Sequence, residues 1–189
     1  MSLELIEKTD KVKESLVSLR VRDVYGSFDI NLSHEEVIVL CLVKNGEQYV
    51  RDFIKYYLDL GVKHIVFLDN GSGDQTLEVI KKYGGNNVII LQTNFYFGNN
   101  NDMRMRDYLI NRFAKNRWSL CVDIDEFFDY PCSEVLPLND LIKYLNENKY
   151  TAVVSQMLDM VPKEIHRKKE RVFKRKDHQY CEFVNIKKK

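Results

Sequence analysis

The sequence predicts an α/β fold, a mostly parallel sheet flanked by helices. Three observations carry that expectation. Short apolar runs rich in β-branched residues recur along the middle of the chain, as in Val37–Val43 and His64–Leu68. Between them lie segments of about ten residues with apolar positions at helical spacing, as in Tyr49–Leu60. The boundaries are marked by polar, glycine-containing loops, chiefly Lys44–Glu47 and Asp69–Asp74. Strands alternating with helices of this length imply βαβ units.

The elements follow in order. Leu5, Val12, Leu16 and Leu19 have roughly helical spacing, so residues 3–20 read as an N-terminal amphipathic helix. Residues 21–36 are mixed and read as a connecting segment. Val37–Val43 is the first buried strand. Lys44-Asn45-Gly46-Glu47 is a turn, and Val50, Phe53, Ile54, Tyr57 and Leu58 line the helix that Gly61 stops. His64–Leu68 is the second strand and Gln75–Tyr83 the second helix, with Asp74 placed to cap it. Gly84–Asn87 breaks that helix, and Val88–Leu91 is the third strand. Phe97–Asn101 is a loop, Asp102–Lys115 a helix and Trp118–Val122 a fourth strand. Pro137–Asn148 is a further helix and Ala152–Ser155 a further strand. The organisation is therefore residues 1–36, an N-terminal helix and connector; 37–160, an α/β core; and 161–189, a basic tail.

The bulk numbers fit one ordinary domain. The chain has 189 residues, 44% hydrophobic and 30% charged. The longest apolar run is too short to span a bilayer, and the first residues do not have the pattern of a secretory leader. We therefore expect a cytoplasmic protein with its four cysteines reduced. They form no C-x-x-C pair, which argues against a structural zinc site. From Lys163 to Lys189 there are 11 Lys and Arg against 4 Asp and Glu, a net +7, while the rest of the chain carries −6. Such a tail can serve an anionic partner, namely membrane lipid, nucleic acid or a polyanionic assembly, with peripheral contact at the inner face of the membrane ranked above nucleic acid among these. A solvated charged face is the simpler alternative.

In a parallel α/β sheet, ligands bind beyond the carboxyl ends of the strands. Three polar segments fall there: Lys44–Glu47, Asp69–Asp74 and Asp123-Ile124-Asp125-Glu126. In an extended backbone Asp123 and Asp125 share one side while Ile124 points to the core. Two carboxylates held that close repel each other, and a divalent cation relieves the repulsion. All-oxygen ligation favours Mg²⁺ or Mn²⁺, which share their shell with substrate phosphates, so the implied substrate is a diphosphate. A solvated acidic strand end is the alternative. Asp69, closing its strand before Gly71, can accept a hydrogen bond from a nucleobase N–H; a tight turn is the alternative there. Neither a G-x-G-x-x-G nor a P-loop pattern occurs.

Taken in order, four segments resemble a known family. They are the strand followed by Lys44–Glu47, the run Tyr57–Ile65, the loop Asp69-Asn70-Gly71-Ser72-Gly73-Asp74-Gln75-Thr76, and Trp118 leading to Asp123-Ile124-Asp125-Glu126-Phe127. Together they are similar to the family 2-like glycosyltransferases of GT-A fold, in the branch with an Asp-x-Asp-Glu-Phe metal motif. The resemblance covers residues 37–130. It implies metal-dependent transfer of a sugar, with inversion, from a nucleoside diphosphate sugar such as a UDP-sugar to a saccharide or lipid-linked acceptor hydroxyl. It further implies that Asp69 contacts the base and that Asn45 and Glu47 line the nucleoside pocket. Asp125 would be the direct metal ligand, Asp123 would contact ribose or metal, and Arg106, with Arg104 as competitor, would face the diphosphate. The pattern expects a carboxylate base downstream, and Asp159 is our choice over Glu164 and Glu170. Gly46 interrupts the usual Asn-Glu pair, and the acceptor half is short. The rival functions are a truncated or non-catalytic sugar-nucleotide-binding module, a nucleotidyltransferase of similar fold, and an Asp-x-Asp phosphatase. The last two lack their own signatures here.

Overall fold

The structure, a computed structural model, describes residues 20–95 and 100–157. The N-terminal helix expected over 3–20, part of the loop Phe97–Asn101, Asp159 and the basic tail lie outside the described residues.

The described chain is an α/β unit built on one five-stranded sheet. In chain order the elements are β1 (Val21–Tyr25), β2 (Val37–Val43), α1 (Glu47–Asp59), β3 (His64–Asp69), α2 (Thr76–Gly84), β4 (Val88–Thr93), α3 (Asn101–Phe113), β5 (Trp118–Asp123) and α4 (Leu138–Glu147). The strands lie in the order β1-β4-β3-β2-β5. β4, β3, β2 and β5 are parallel, and β1 is antiparallel to β4. All seven residues of β2 are buried, because it sits inside the sheet with helices over both faces.

Strand parity divides the core in two. Val37, Val39, Cys41, Val43, Ile65 and Phe67 pack against α1, α2 and α4 through Phe53, Ile54, Tyr57, Ile80 and Leu141. Ile38, Leu40, Leu42, Val66 and Leu68 pack against α3 through Met105, Leu109 and Phe113. β2 to β3 to β4 steps to one side, whereas β4 to β5 returns across β2 to the other. The strand order therefore switches direction between β2 and β5, where α/β sheets open a crevice at their carboxyl edge.

Most predicted elements appear within a residue or two of their expected ends. α1 carries its buried face at Val50, Phe53, Ile54 and Tyr57 and is closed by Gly61 at φ 100°, with the Val62 N–H bonded to the Tyr57 carbonyl at 3.0 Å. Two expectations need correction. Residues 21–36 are more than a connector, since Val21–Tyr25 is an edge strand. It has no apolar run; its pairing is fixed from outside by Arg22 to Gln92 at 2.5 Å and by Arg112 gripping Asp23 at 2.7 and 2.8 Å. The Asp23 hydrogen bond also holds the Arg112 guanidinium above its usual range. Ala152–Ser155 forms no strand. Its apolar run has no ladder partner, and only Val153 is packed against the core.

Gly26 leaves β1 at φ +97°, and a Cβ there would lie 2.4 Å from the Val88 carbonyl oxygen. Gly26→Ala should cost about 1–3 kcal/mol in a urea melt. Gly73→Ala, where a Cβ meets nothing within 4 Å, should leave the midpoint almost unchanged.

Candidate functional site

Asp69, Asn70, Thr76, Thr93 and Asn101 are the buried polar or charged residues among those described. All five lie at, or just beyond, the carboxyl ends of the strands. The rest of the sheet buries apolar side chains, so the fold concentrates desolvated polar chemistry at one edge.

The loops after β2 and β3 are laced together there. Asn45, at a left-handed φ of 52° that suits asparagine, donates its N–H to Ser72 Oγ at 2.8 Å. Its Oδ1 accepts the Gly73 N–H at 2.9 Å. The Gly46 N–H donates to Thr76 Oγ1 at 2.8 Å. The Glu47 N–H donates to Asp74 Oδ2 at 3.2 Å, and Glu47 Oε2 accepts the Gln75 N–H at 3.3 Å. Each helix start thus supplies a carboxylate to the other, an exchange that suits the positive ends of both helix dipoles. Asp74 also accepts the Thr76 N–H at 3.1 Å and the Thr76 hydroxyl, so it serves the start of α2 as expected, and the start of α1 besides. Gly46 is needed because a Cβ would come within 2.8 Å of Val43 Cγ2 and 3.3 Å of Ile124 Cγ1.

Asp69 is fully buried. Both its oxygens accept the Ser72 N–H at 3.2 Å, and Oδ2 also accepts from Gln92 Nε2 at 3.0 Å. Its present partners are therefore protein groups.

β5 ends at Asp123, and residues 124 and 125 form a turn. The extended geometry expected to align Asp123 with Asp125 stops one residue too early for that argument. The turn closes on itself: the Asp123 N–H donates to Glu126 Oε2 at 2.8 Å and the Glu126 N–H to the Asp123 carbonyl at 3.0 Å. Arg106 Nη2 lies 2.5 Å from Asp123 Oδ1. Burial works against the Arg106 charge, but the hydrogen bond and charge of Asp123 outweigh it and hold the guanidinium above its usual range. Asp125 is exposed and makes no hydrogen bond or ion pair to another described residue. Arg104, the competitor of Arg106, donates instead to Asn101 Oδ1 at 3.0 Å.

Register separates the two acidic positions. Asp69 is level with Val43, whereas Asp123 is level with Leu42. Adjacent positions on β2 point to opposite faces. Asp69, with Gln92, belongs to the α1 and α2 face, and Asp123, with Arg106, to the α3 face. Asn45, Glu47 and the Asp69 loop are thus one group, and Asp123 and Arg106 another. Asp159 lies outside the described residues.

Two tyrosines missed in the sequence fix the exit of the acidic turn. Tyr57 Oη donates to the Glu126 carbonyl and accepts the Phe128 N–H, both at 3.0 Å. Tyr56 Oη donates to the Phe128 carbonyl at 2.7 Å. Burial raises the Tyr57 hydroxyl well above its usual range, so it stays protonated. Tyr57 was legible only as a member of an apolar stripe; a buried hydroxyl seeking a partner was the unused signal.

The donor set of the acidic turn is carboxylate oxygen, which fits a hard divalent cation. Among the described residues no three His, Cys, Asp or Glu side chains converge on a metal position. The described cysteines, Cys41, Cys121 and Cys132, are free, and burial pushes the Cys41 thiol well up. A concavity of about 590 Å³ lies elsewhere, beside β5 and α4, lined by Trp118, Leu120, Leu141 and Ile142. Its wall mixes apolar side chains with polar ones such as Arg117 and Asn146, and the chemistry described above is not in it. No helix among the described residues is long and apolar enough to cross a membrane. No protein-family model matches the chain, and no curated protein matches it at a significant level.

Tyr57→Phe removes the partner of two backbone groups at once. It should lower stability by about 1–3 kcal/mol in chemical denaturation. Asp74 provides a pH signature. Burial pushes its pKa up, but the bonds from Thr76 and Glu47 outweigh that and leave it lowered. A lowered folded value stabilises above the unfolded value, near pH 4, and that stabilisation is lost as pH falls further. The Tm gap between wild type and Asp74→Ala should therefore narrow below about pH 4.

Proposed function

We propose that the chain is a GT-A-type glycosyltransferase core that binds a nucleoside diphosphate sugar, most simply a UDP-sugar, together with Mn²⁺ or Mg²⁺. The observation that carries this reading is the position of Asp123-Ile124-Asp125-Glu126. The turn sits at the carboxyl end of β5, beside the point where the strand order reverses, with one carboxylate exposed and uncommitted. The order of the polar segments along the sheet supports the same reading.

In this proposal Asp125 holds the cation, and Asp123 joins it or the ribose. When bound, the cation neutralises charge on the departing diphosphate. Arg106, already beside Asp123, is a second positive group for that charge. The laced loops from Asn45 to Thr76 orient the nucleoside, and Asp69 offers remaining acceptor capacity to a base N–H once the loop admits one. The acceptor, a saccharide or lipid-linked hydroxyl, gives its proton to a carboxylate for which Asp159 remains our assignment. Peripheral membrane contact through the basic tail and a cytoplasmic location belong to the same proposal.

One observation favours a second reading, a sugar-nucleotide-binding module without turnover. Asp69 is buried, and Asn45 and Glu47 are bonded to the neighbouring loop. Titration calorimetry with UDP, with and without Mn²⁺, tests the common core of both. Wild type should show metal-dependent affinity. Asp125→Ala should keep its Tm and lose that dependence by at least about tenfold. Absence of metal-dependent binding in wild type overturns the proposal, and binding without donor turnover selects the module.

A further inference from the structure

We infer that Tyr57, with Tyr56 beside it on α1, is a positioning residue for Asp125, so that this helix sets how well the acidic turn holds a divalent cation. The inference rests on the metal and nucleotide reading above and gives α1 a part in that site.

The side chain of Asp125 is exposed, yet the backbone on both sides of it is held by one helix. Before it, Ile124 packs at the start of α1, where a Cβ on Gly46 would come within 3.3 Å of Ile124 Cγ1. After it, the Glu126 carbonyl accepts the Tyr57 hydroxyl, and the Phe128 N–H donates to the same Oη, both at 3.0 Å. The single proton of that hydroxyl and one of its lone pairs are thus both spent on the exit of the turn. Tyr56, half-buried, donates to the Phe128 carbonyl at 2.7 Å. Both backbone groups of Phe128 are therefore bonded to α1.

The bonds within the turn do a different job. The Asp123 N–H to Glu126 Oε2 and the Glu126 N–H to the Asp123 carbonyl close the turn on itself. They fix its shape and leave its direction open. Direction is set by the anchors outside it, β5 on the entry side and α1 on the exit side. The core does not need the Tyr57 hydroxyl, since Phe53 fills a place on the same buried face without one. A cation shared between a carboxylate and a diphosphate tolerates little displacement of its ligand. Groups that orient a metal ligand without touching the metal typically change affinity by about 10–100-fold.

The test is calorimetry of the full chain with UDP plus Mn²⁺, and separately with UDP plus EDTA, below the melting range of every variant. Tyr57→Phe should weaken UDP binding by about tenfold with Mn²⁺ and leave it unchanged with EDTA. Tyr56→Phe, which removes one bond from the same segment, should shift in the same direction by less, and it carries the test alone if Tyr57→Phe does not fold. Tyr130→Phe is the matched control. That buried tyrosine donates to the Leu136 carbonyl at 2.7 Å, away from the turn, so its loss should lower the Tm and leave both affinities at the wild-type value. Wild-type affinity with Mn²⁺ in the folded Tyr57 and Tyr56 variants overturns the positioning role and leaves the nucleotide reading standing. Equal losses with Mn²⁺ and with EDTA, or an equal loss in Tyr130→Phe, also overturn it, since the change would then be a general loosening. Failure of wild type to bind UDP overturns the nucleotide reading and the positioning role with it.

Discussion

The burial of β2 is the constraint on which the site depends. A seven-residue strand with no exposed side chain must be flanked on both edges and covered on both faces. It is flanked by β3 and β5 and covered by α1 on one side and α3 on the other. That arrangement brings the loops after β2 and β3 and the turn after β5 to one edge, although the first and last are about eighty residues apart in the chain. The loop polar groups then have few ways to be satisfied. They bond across the gap to each other, and the reciprocal service of Glu47 and Asp74 is the result.

The same constraint explains the tyrosines. α1 lies flat on β2 and β3, and its buried face ends at Tyr57. A hydroxyl in that position cannot reach water freely, so it meets the backbone that leaves the acidic turn. One apolar stripe therefore sets both the helix packing and the path of Glu126 to Phe128. The aromatic contact of Tyr56 with Phe127, at 4.9 Å between ring centroids, reinforces that path.

The sheet and its helices were legible in the sequence because their signals are local. The continuous runs at β2 and β3, the stripe of α1 and the stop at Gly61 depend on neighbours in the chain. β1 was illegible because its five residues are held by Arg112, 89 positions away from Asp23. Ala152–Ser155 misled for the opposite reason, as it has strand composition without a strand beside it. The polar segments of the site were legible as positions at a carboxyl edge. Their partners were not, since Asn45 with Gly73 and Arg106 with Asp123 are tertiary choices between several polar groups in reach. The offset between Asp69 and Asp123 needed the ladder register, which no single strand displays.

That one-residue offset bears on the shape of whatever occupies the edge. Asp69 and Asp123 stand two strand spacings apart, about 10 Å, and look away from each other across the thickness of the sheet. A compact molecule nestled on either face meets one of them. A molecule that meets both must be elongated, must bend over the lip of the sheet, and must carry a different chemistry at each end: hydrogen-bond donors toward Asp69, and negative charge toward the arginine that guards Asp123.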